Sequence, residues 1–235
     1  GAASGPIQHG IPSNADWMAE SDAVSALFGN AAATAGDVNG DGWSDVIVGA
    51  YNASNGQASE GRAFAWYGSG SGLGANGTPT NADWLEEIDW ASARFGWAVG
   101  TAGDVNADGY SDVIVGAYSY SSGGETGGAY VYFGSDTGLS ATPDWEEHLA
   151  MSNSNFGYSV GTAGDVNGDG FSDIIVGANL VTNGESTEGA ACAYYGTPAG
   201  PESVPIFWVE GNQVGAFFGA AVATAGDVNG DGFSD

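Results

Sequence analysis

Nine residues, Asp37-Val38-Asn39-Gly40-Asp41-Gly42-Trp43-Ser44-Asp45, recur almost unchanged at Asp104–Asp112, Asp165–Asp173 and Asp227–Asp235. The loops start 67, 61 and 62 residues apart. A Phe-Gly pair keeps the same spacing at Phe28, Phe95, Phe156 and Phe218, and a tryptophan follows at Trp17, Trp84, Trp145 and Trp208 with spacings of 67, 61 and 63. Three markers on one period mean that the chain is an array of units of about 60 residues, each covering its neighbour's apolar face. The unequal spacings are loop insertions.

Each unit reads as four short strands. In the second copy, Phe95-Gly96 through Val99 to Thr101 forms the first, and the Asp-rich loop turns the chain into Asp112-Val113-Ile114-Val115-Gly116-Ala117. That unbroken apolar run suits a strand covered on both faces. A Gly/Ser stretch leads to the third strand, Ala129 to Phe133, matched by Ala63 to Tyr67 and Ala191 to Tyr195; the fourth is Asp144 to His148. With 42 Gly and 28 aromatic residues to supply turns and strands, the prediction is an all-β fold, a β-propeller of four-stranded antiparallel blades.

The loop places hard oxygen donors at positions one, three, five and nine, a backbone carbonyl at seven, and Gly at the sharp turn at six. Its first six residues follow the start of an EF-hand loop, but Asp at nine replaces the Glu at twelve, so the loop is shorter and needs no flanking helices. The expected ligands are Asp37, Asn39, Asp41, the Trp43 carbonyl and Asp45; Asp104, Asn106, Asp108, Tyr110 and Asp112; Asp165, Asn167, Asp169, Phe171 and Asp173; and Asp227, Asn229, Asp231, Phe233 and Asp235. All-oxygen sets of this flexibility favour calcium over magnesium. Up to four calcium ions per chain are expected, and they would raise the formal charge of −27 by eight, to −19.

Phe-Gly, the Asp-Val-Asn-Gly-Asp-Gly loop and the following Val-Gly-Ala together resemble the FG-GAP repeat of integrin alpha-chain propellers, over essentially the whole chain. The resemblance implies blades around a central axis, calcium between each blade's first two strands, and partner binding on the opposite face. On that face lie 52–61, 118–127 and 179–189, together with 21–27, 89–94, 152–155 and 211–216. The chain departs from the family where Tyr51, Tyr118 and Asn179 replace the proline closing Gly-Ala-Pro, and where Ala107 replaces a glycine. Neither change removes a donor.

Residues 1–235 read as one domain or half-propeller, with repeats at about 28–94, 95–155 and 156–217, and with 1–27 and 218–235 as the two parts of one split, incomplete blade. The strands missing after Asp235 would come from residues outside this sequence or from another chain; two copies would make an eight-bladed ring. Without the strand that anchors Asp235, the fourth loop is expected to be the weakest. The sequence also reads as a mature or trimmed segment, since it has no initiator Met.

With Arg62 and Arg94 as its only Lys or Arg, the chain is a poor partner for nucleic acid or anionic membrane. No apolar run approaches the ~20 residues of a membrane helix. Cys192, alone, can form neither an internal disulfide nor a cysteine-based zinc site, and reads as a small buried side chain. The repeated Trp and Phe read as packing between blades. Trp90 and Trp97 do not repeat and are candidates for partner contact. Glu86-Glu87 and Glu146-Glu147-His148 read as solvated outer-strand charges, and with His9 and His148 they offer no catalytic pair. Asn52-Ala53-Ser54 and Asn76-Gly77-Thr78 match glycosylation sequons. The expectation is a secreted or cell-surface, non-enzymatic, calcium-stabilised module for adhesion or protein interaction. A ligand-free or engineered scaffold and a carbohydrate-binding or hydrolytic propeller are its rivals.

Overall fold

A computed structural model describes residues 15–21, 23–123 and 125–235. Three antiparallel four-stranded sheets follow one another. The first holds β1 (Phe28–Gly36), β2 (Asp45–Ala50), β3 (Arg62–Trp66) and β4 (Trp84–Glu87) in that order. In the second, β5 (Ala98–Gly103), β6 (Asp112–Gly116), β9 (Gly128–Tyr132) and β10 (Trp145–His148) are hydrogen-bonded in sequence, with a two-residue hairpin of β7 (Ser121–Ser122) and β8 (Glu125–Thr126) standing apart. The third runs β11 (Phe156–Gly164), β12 (Asp173–Ala178), β13 (Ala190–Tyr194) and β14 (Phe207–Glu210). There is no helix among the described residues. The sheets have the form of propeller blades.

The strands lie within a residue or two of the predicted ones. β5 starts three residues late; Phe95 forms an isolated bridge to Gly61, as Phe156 does to Gly127 and Phe218 to Gly189, and Phe156 also pairs with Ala178 of its own sheet. The β7–β8 hairpin falls in the stretch read as plain loop. Two predicted strands of the split blade do not form. Around Trp17 there is only an isolated bridge from Ala19 to Gly77, and residues 219–226 join no ladder; the strand they would pair with would follow Asp235. His9 and Asp22 lie outside the described residues.

The second and third strands of each sheet carry the core. β6 and β9 are buried throughout, as their apolar runs require. Between sheets the packing repeats. Trp84 meets the Tyr132 ring edge-on at 5.0 Å and donates its indole N–H to the Ser140 carbonyl, while Trp145 meets Tyr194 at 5.2 Å and donates to the Glu202 carbonyl. Trp17 does the same with Trp66 at 5.5 Å and with the Ala75 carbonyl, even without its strand. The aromatic marker is therefore the wedge between one sheet and the next.

Backbones also meet directly at two glycine rows. A Cβ on Gly116 of Val-Gly-Ala would lie 3.0 Å from the carbonyl carbon of Gly157, the Phe-Gly glycine of the next sheet, and still closer to its oxygen. Gly49 and Gly96, and Gly177 and Gly219, form the same contact. Both halves of the repeated signature are thus one junction. The first strands converge on a shared cavity of about 230 Å³, lined in part by Ala33, Val99, Thr101, Val160, Thr162 and Val222.

Candidate metal centres and the opposite face

The first three Asp-rich loops each join the first two strands of their sheet, at the same end of every sheet; the fourth follows residues that join no ladder. In the first loop both Asp37 carboxylate oxygens accept backbone N–H groups, from Asp41 at 3.0 Å and from Gly42 at 2.8 Å. Asn39 Oδ1 accepts from Asp41 N, and Asp41 Oδ1 from Trp43 N. The same pattern recurs around Asp104, Asn106 and Asp108, around Asp165, Asn167 and Asp169, and around Asp227, Asn229 and Asp231. Left-handed Gly40 and Gly42, at φ 71° and 88°, let the loop close on itself; Ala107 adopts φ 55° in the second copy.

The Asp at position nine has a second task that its spacing did not announce. Asp45 is buried, and its two oxygens accept from Val38 N at 2.8 Å and Gly68 N at 2.7 Å, tying the loop to the end of the third strand. Asp112 holds Val105 N and Gly134 N, and Asp173 holds Val166 N and Gly196 N. Asp235 keeps the bond from Val228 N but stands exposed. Burial pushes the Asp112 carboxyl up to about 7, opposed by its two amide bonds and reinforced by the charges of Asp108 and Asp104. Asp45 and Asp173 are raised by the same causes, burial first. The exposed Asp227 is instead lowered, chiefly by the Gly232 amide.

These residues suit a hard cation by kind and by neighbourhood. Every donor is oxygen, each loop carries three carboxylates that feel one another, and an oxygen accepting one hydrogen bond keeps a second lone pair. Yet among the described residues no three Asp, Glu, His or Cys side chains are gathered into a metal-sized group. The loops are arranged as amide-clasped turns.

Two further repeated residues couple neighbouring loops. Asp37 N donates to Ser111 Oγ at 3.1 Å and Ser111 N to the Asp37 carbonyl at 2.9 Å; Asp104 and Ser172 repeat the exchange, and Ser234 N bonds Asp165 O. The aromatic residue at position seven leans on the preceding loop, so that the Tyr110 ring meets Gly40 and the Phe233 ring meets Gly168. Trp43, with no preceding loop beneath it, is 51% exposed. Serine occupies position eight in all four copies, which was the available signal.

Of the outer-strand charges, Glu146 is exposed as expected, whereas Glu86, Glu87, Glu147 and His148 are half-buried. Glu87 pairs with Arg62 at 2.5 Å and accepts from Asn55 Nδ2, burial raises Glu86, and His148 stacks on Tyr120 at 4.4 Å. Trp90, 40% exposed, rests against Tyr120. Cys192 is buried as expected, its thiol pushed up to about 12 by burial. Buried Glu60 and Glu188 clasp the backbone of 55–57 and 183–185 on the face away from the Asp-rich loops.

Tandem four-stranded sheets, each with an Asp-rich turn after its first strand and a wedge of aromatic residues toward the next, define a blade-repeat protein. Its repeats are FG-GAP repeats, and the chain belongs to that family, whose pattern matches residues 28–66, 95–132 and 156–191. The chain is 34% identical over 169 residues to mouse phosphatidylinositol-glycan-specific phospholipase D, covering 70% of this chain and 20% of that protein. It is 34% identical over 169 residues to integrin alpha-4 of Xenopus laevis, covering 67% and 15% of the two chains. For integrin alpha-5 of the same animal the figures are 31% over 174 residues, 68% and 16%. This chain therefore spans a fifth or less of these relatives. No helix among the described residues is long and apolar enough to cross a membrane.

Proposed function

We propose that the chain is a calcium-stabilised β-propeller module that works outside the cell as a protein-interaction or adhesion surface and is not itself an enzyme. The observation that carries this is the fourfold recurrence of one donor set in one backbone geometry. Integrin alpha chains and a phospholipase D, proteins of unlike name, each match two thirds or more of this chain, which favours a shared repeat over a shared reaction. Calcium would be held by the carboxylates and carbonyls of the four loops, as enumerated above, and would supply positive charge to three mutually repelling carboxylates. The partner would meet the opposite face.

Magnitude makes the calcium reading testable. Extracellular modules bind calcium with Kd of ~10⁻⁴ to 10⁻³ M. At about ten times Kd each ion contributes ~1.4 kcal/mol, so four contribute roughly 5 to 6 kcal/mol. Melting in calcium against EDTA should then differ by roughly 10 to 20 °C for a chain of this size. An unchanged melt refutes it.

A second reading concerns assembly. Phe207 and Val209 of the last sheet, and Phe217 and Phe218 just beyond it, are 40 to 46% exposed around an apolar cavity of about 470 Å³, where earlier sheets carry their neighbour. A further blade covers this face, from more of the same chain or from a second copy completing an eight-bladed ring. Native mass spectrometry that finds only monomer at micromolar concentration eliminates the second copy.

A further inference from the structure

Four aromatic rings gather at the mouth of the cavity between the first strands, on the side away from the Asp-rich loops. Trp97 meets Tyr51 at 4.7 Å, Tyr118 at 4.7 Å and Tyr158 at 5.3 Å, and Tyr118 meets Tyr158 at 5.6 Å. All four are partly exposed. Trp97 and Tyr158 stand two residues before Val99 and Val160, which line the cavity. Beside them the Arg94 guanidinium lies 5.7 Å from the centre of the Tyr51 ring and donates to Asn52 Oδ1.

Blade packing does not demand this set. The positions equivalent to Trp97 and Tyr158 hold Asn30 and Ala220, and the position of Tyr51 and Tyr118 holds Asn179 in the third repeat. Arg94 sits at φ 63°, and the same left-handed backbone recurs at Leu27, Asn155 and Phe217, with φ 54°, 55° and 52°. The conformation belongs to the repeat, whereas the guanidinium belongs to one copy. Arg62 is already paired with Glu87; among the described residues no carboxylate pairs with Arg94, in a chain carrying 29 acidic residues. An arginine left without a counter-ion against an aromatic floor is suited to a carboxylate that arrives with a ligand.

We propose that this aromatic rim is a binding site for a sugar bearing a single carboxylate, such as a terminal sialic or glucuronic acid. The rings offer apolar faces to the C–H face of a pyranose. Arg94 takes its carboxylate, held beside the rings by its bond to Asn52 Oδ1. Charge narrows the class further. At a formal −27, the chain repels a polyanion such as heparin over a distance, while one carboxylate beside Arg94 is locally compensated. A sugar is preferred to an acidic peptide because the floor is aromatic and holds only one cation. The inference rests on the interaction face proposed above but not on calcium.

The test is a glycan array followed by titration monitored by tryptophan fluorescence, using sialyllactose and a glucuronic-acid-terminated disaccharide against neutral lactose. The expected result is binding of the acidic sugars with quenching of Trp97, at least tenfold weaker binding to lactose, and a tenfold or greater loss in Arg94→Gln. Trp97→Phe should retain binding with the fluorescence change removed, and melting curves establish that both variants are folded. Equal binding of lactose, binding insensitive to Arg94→Gln, or no binding of any of the three sugars overturns the inference. An acidic peptide that binds through Arg94 while the sugars do not would overturn it too, yet leave the interaction module standing. A melt unaffected by EDTA with sugar binding intact would remove calcium alone.

Discussion

Replacing Gly116 by alanine tests whether the two glycine rows are the junction between sheets. Gly116 lies in β6, inside a fully buried strand, and its missing side chain is where Gly157 of the next sheet passes. An added Cβ would stand 3.0 Å from the Gly157 carbonyl carbon and 3.4 Å from its Cα, with the oxygen nearer still. Carbon atoms rest at roughly 3.5 to 4.0 Å. The sheets must therefore part by about half an ångström to an ångström where the Gly116 backbone is held in ladders on both sides, and overpacking of this kind costs about 1 to 3 kcal/mol. The less flexible unfolded chain returns about 0.4 to 1 kcal/mol. The net cost, about 1.3 kcal/mol at the midpoints of the two ranges, becomes roughly 3 to 5 °C at about 2 to 4 °C per kcal/mol for a chain of this size, so Gly116→Ala should melt that far below the parent. Gly161 is the control. It lies in β11, no heavy atom comes within 4 Å of its Cβ, and its φ is not in the left-handed region, so Gly161→Ala should be neutral or slightly stabilising. Scanning calorimetry of both variants in saturating calcium decides the matter. If Gly116→Ala melts with the parent, or if Gly161→Ala loses as much, the junction is misread.

Trp84→Ala removes a wedge that is 6% exposed and should cost about 3 to 5 kcal/mol, whereas Trp84→Phe, which gives up mainly the bond to the Ser140 carbonyl, should cost about 1 kcal/mol; urea midpoints report both. Ser111→Ala deletes the hydroxyl that accepts from Asp37 N and should lower stability by about 1 kcal/mol, so an unchanged urea midpoint would show that the loops are not coupled there. For the metal-free protein, Asp112 near 7 in the fold against the ordinary 3.8 means that folding takes up a proton between those values. Its contribution is fully present below the unfolded value and is lost as pH rises toward 7, so denaturant midpoints in EDTA should fall from pH 5 to pH 8 by the equivalent of roughly 2 to 3 kcal/mol. A midpoint that rises over that interval contradicts the burial assigned to this carboxyl.

The sheets were legible because their signals are local and repeated. An apolar run such as 113–115 flanked by turn residues writes its own strand, and three markers on one period fix the unit. What escaped was of two kinds. One was pairing that needs a neighbour: Phe95 bridges Gly61 beside the preceding sheet, and residues 219–226 have the composition of β1 and β11 yet no ladder. The other was the identity of hydrogen-bond partners across repeats. Spacing marked Asp45, Asp112 and Asp173 as ligands, and nothing local shows that each also clasps the glycine amide after its third strand, more than twenty residues away in sequence. The half-burial of Glu86 and Glu87 is similar, since a hydrophilic pair at a strand end looks solvated until Asn55 and Arg62 come over it.

The division between what repeats and what does not is what connects fold to function in this chain. Residues required in every copy serve the junctions: wedge tryptophans, paired glycines, clasping aspartates and linking serines. Selection for a stable array therefore explains them fully, and they carry no information about a partner. Arg94, Trp97 and the tyrosines at 51, 118 and 158 are exempt from that demand, because sister copies place Leu, Asn, Phe or Ala on the same backbone. Residues that the array does not need, brought to one rim by the convergence of its first strands, are where specificity can be built without cost to the junctions. Substitutions at the rim should accordingly change ligand preference while leaving the melting temperature within the small range usual for surface positions, and substitutions at the junctions should do the reverse. If Trp97→Phe and Arg94→Gln destabilised the chain as much as Trp84→Ala, the rim would be a further packing element and the separation argued here would fail.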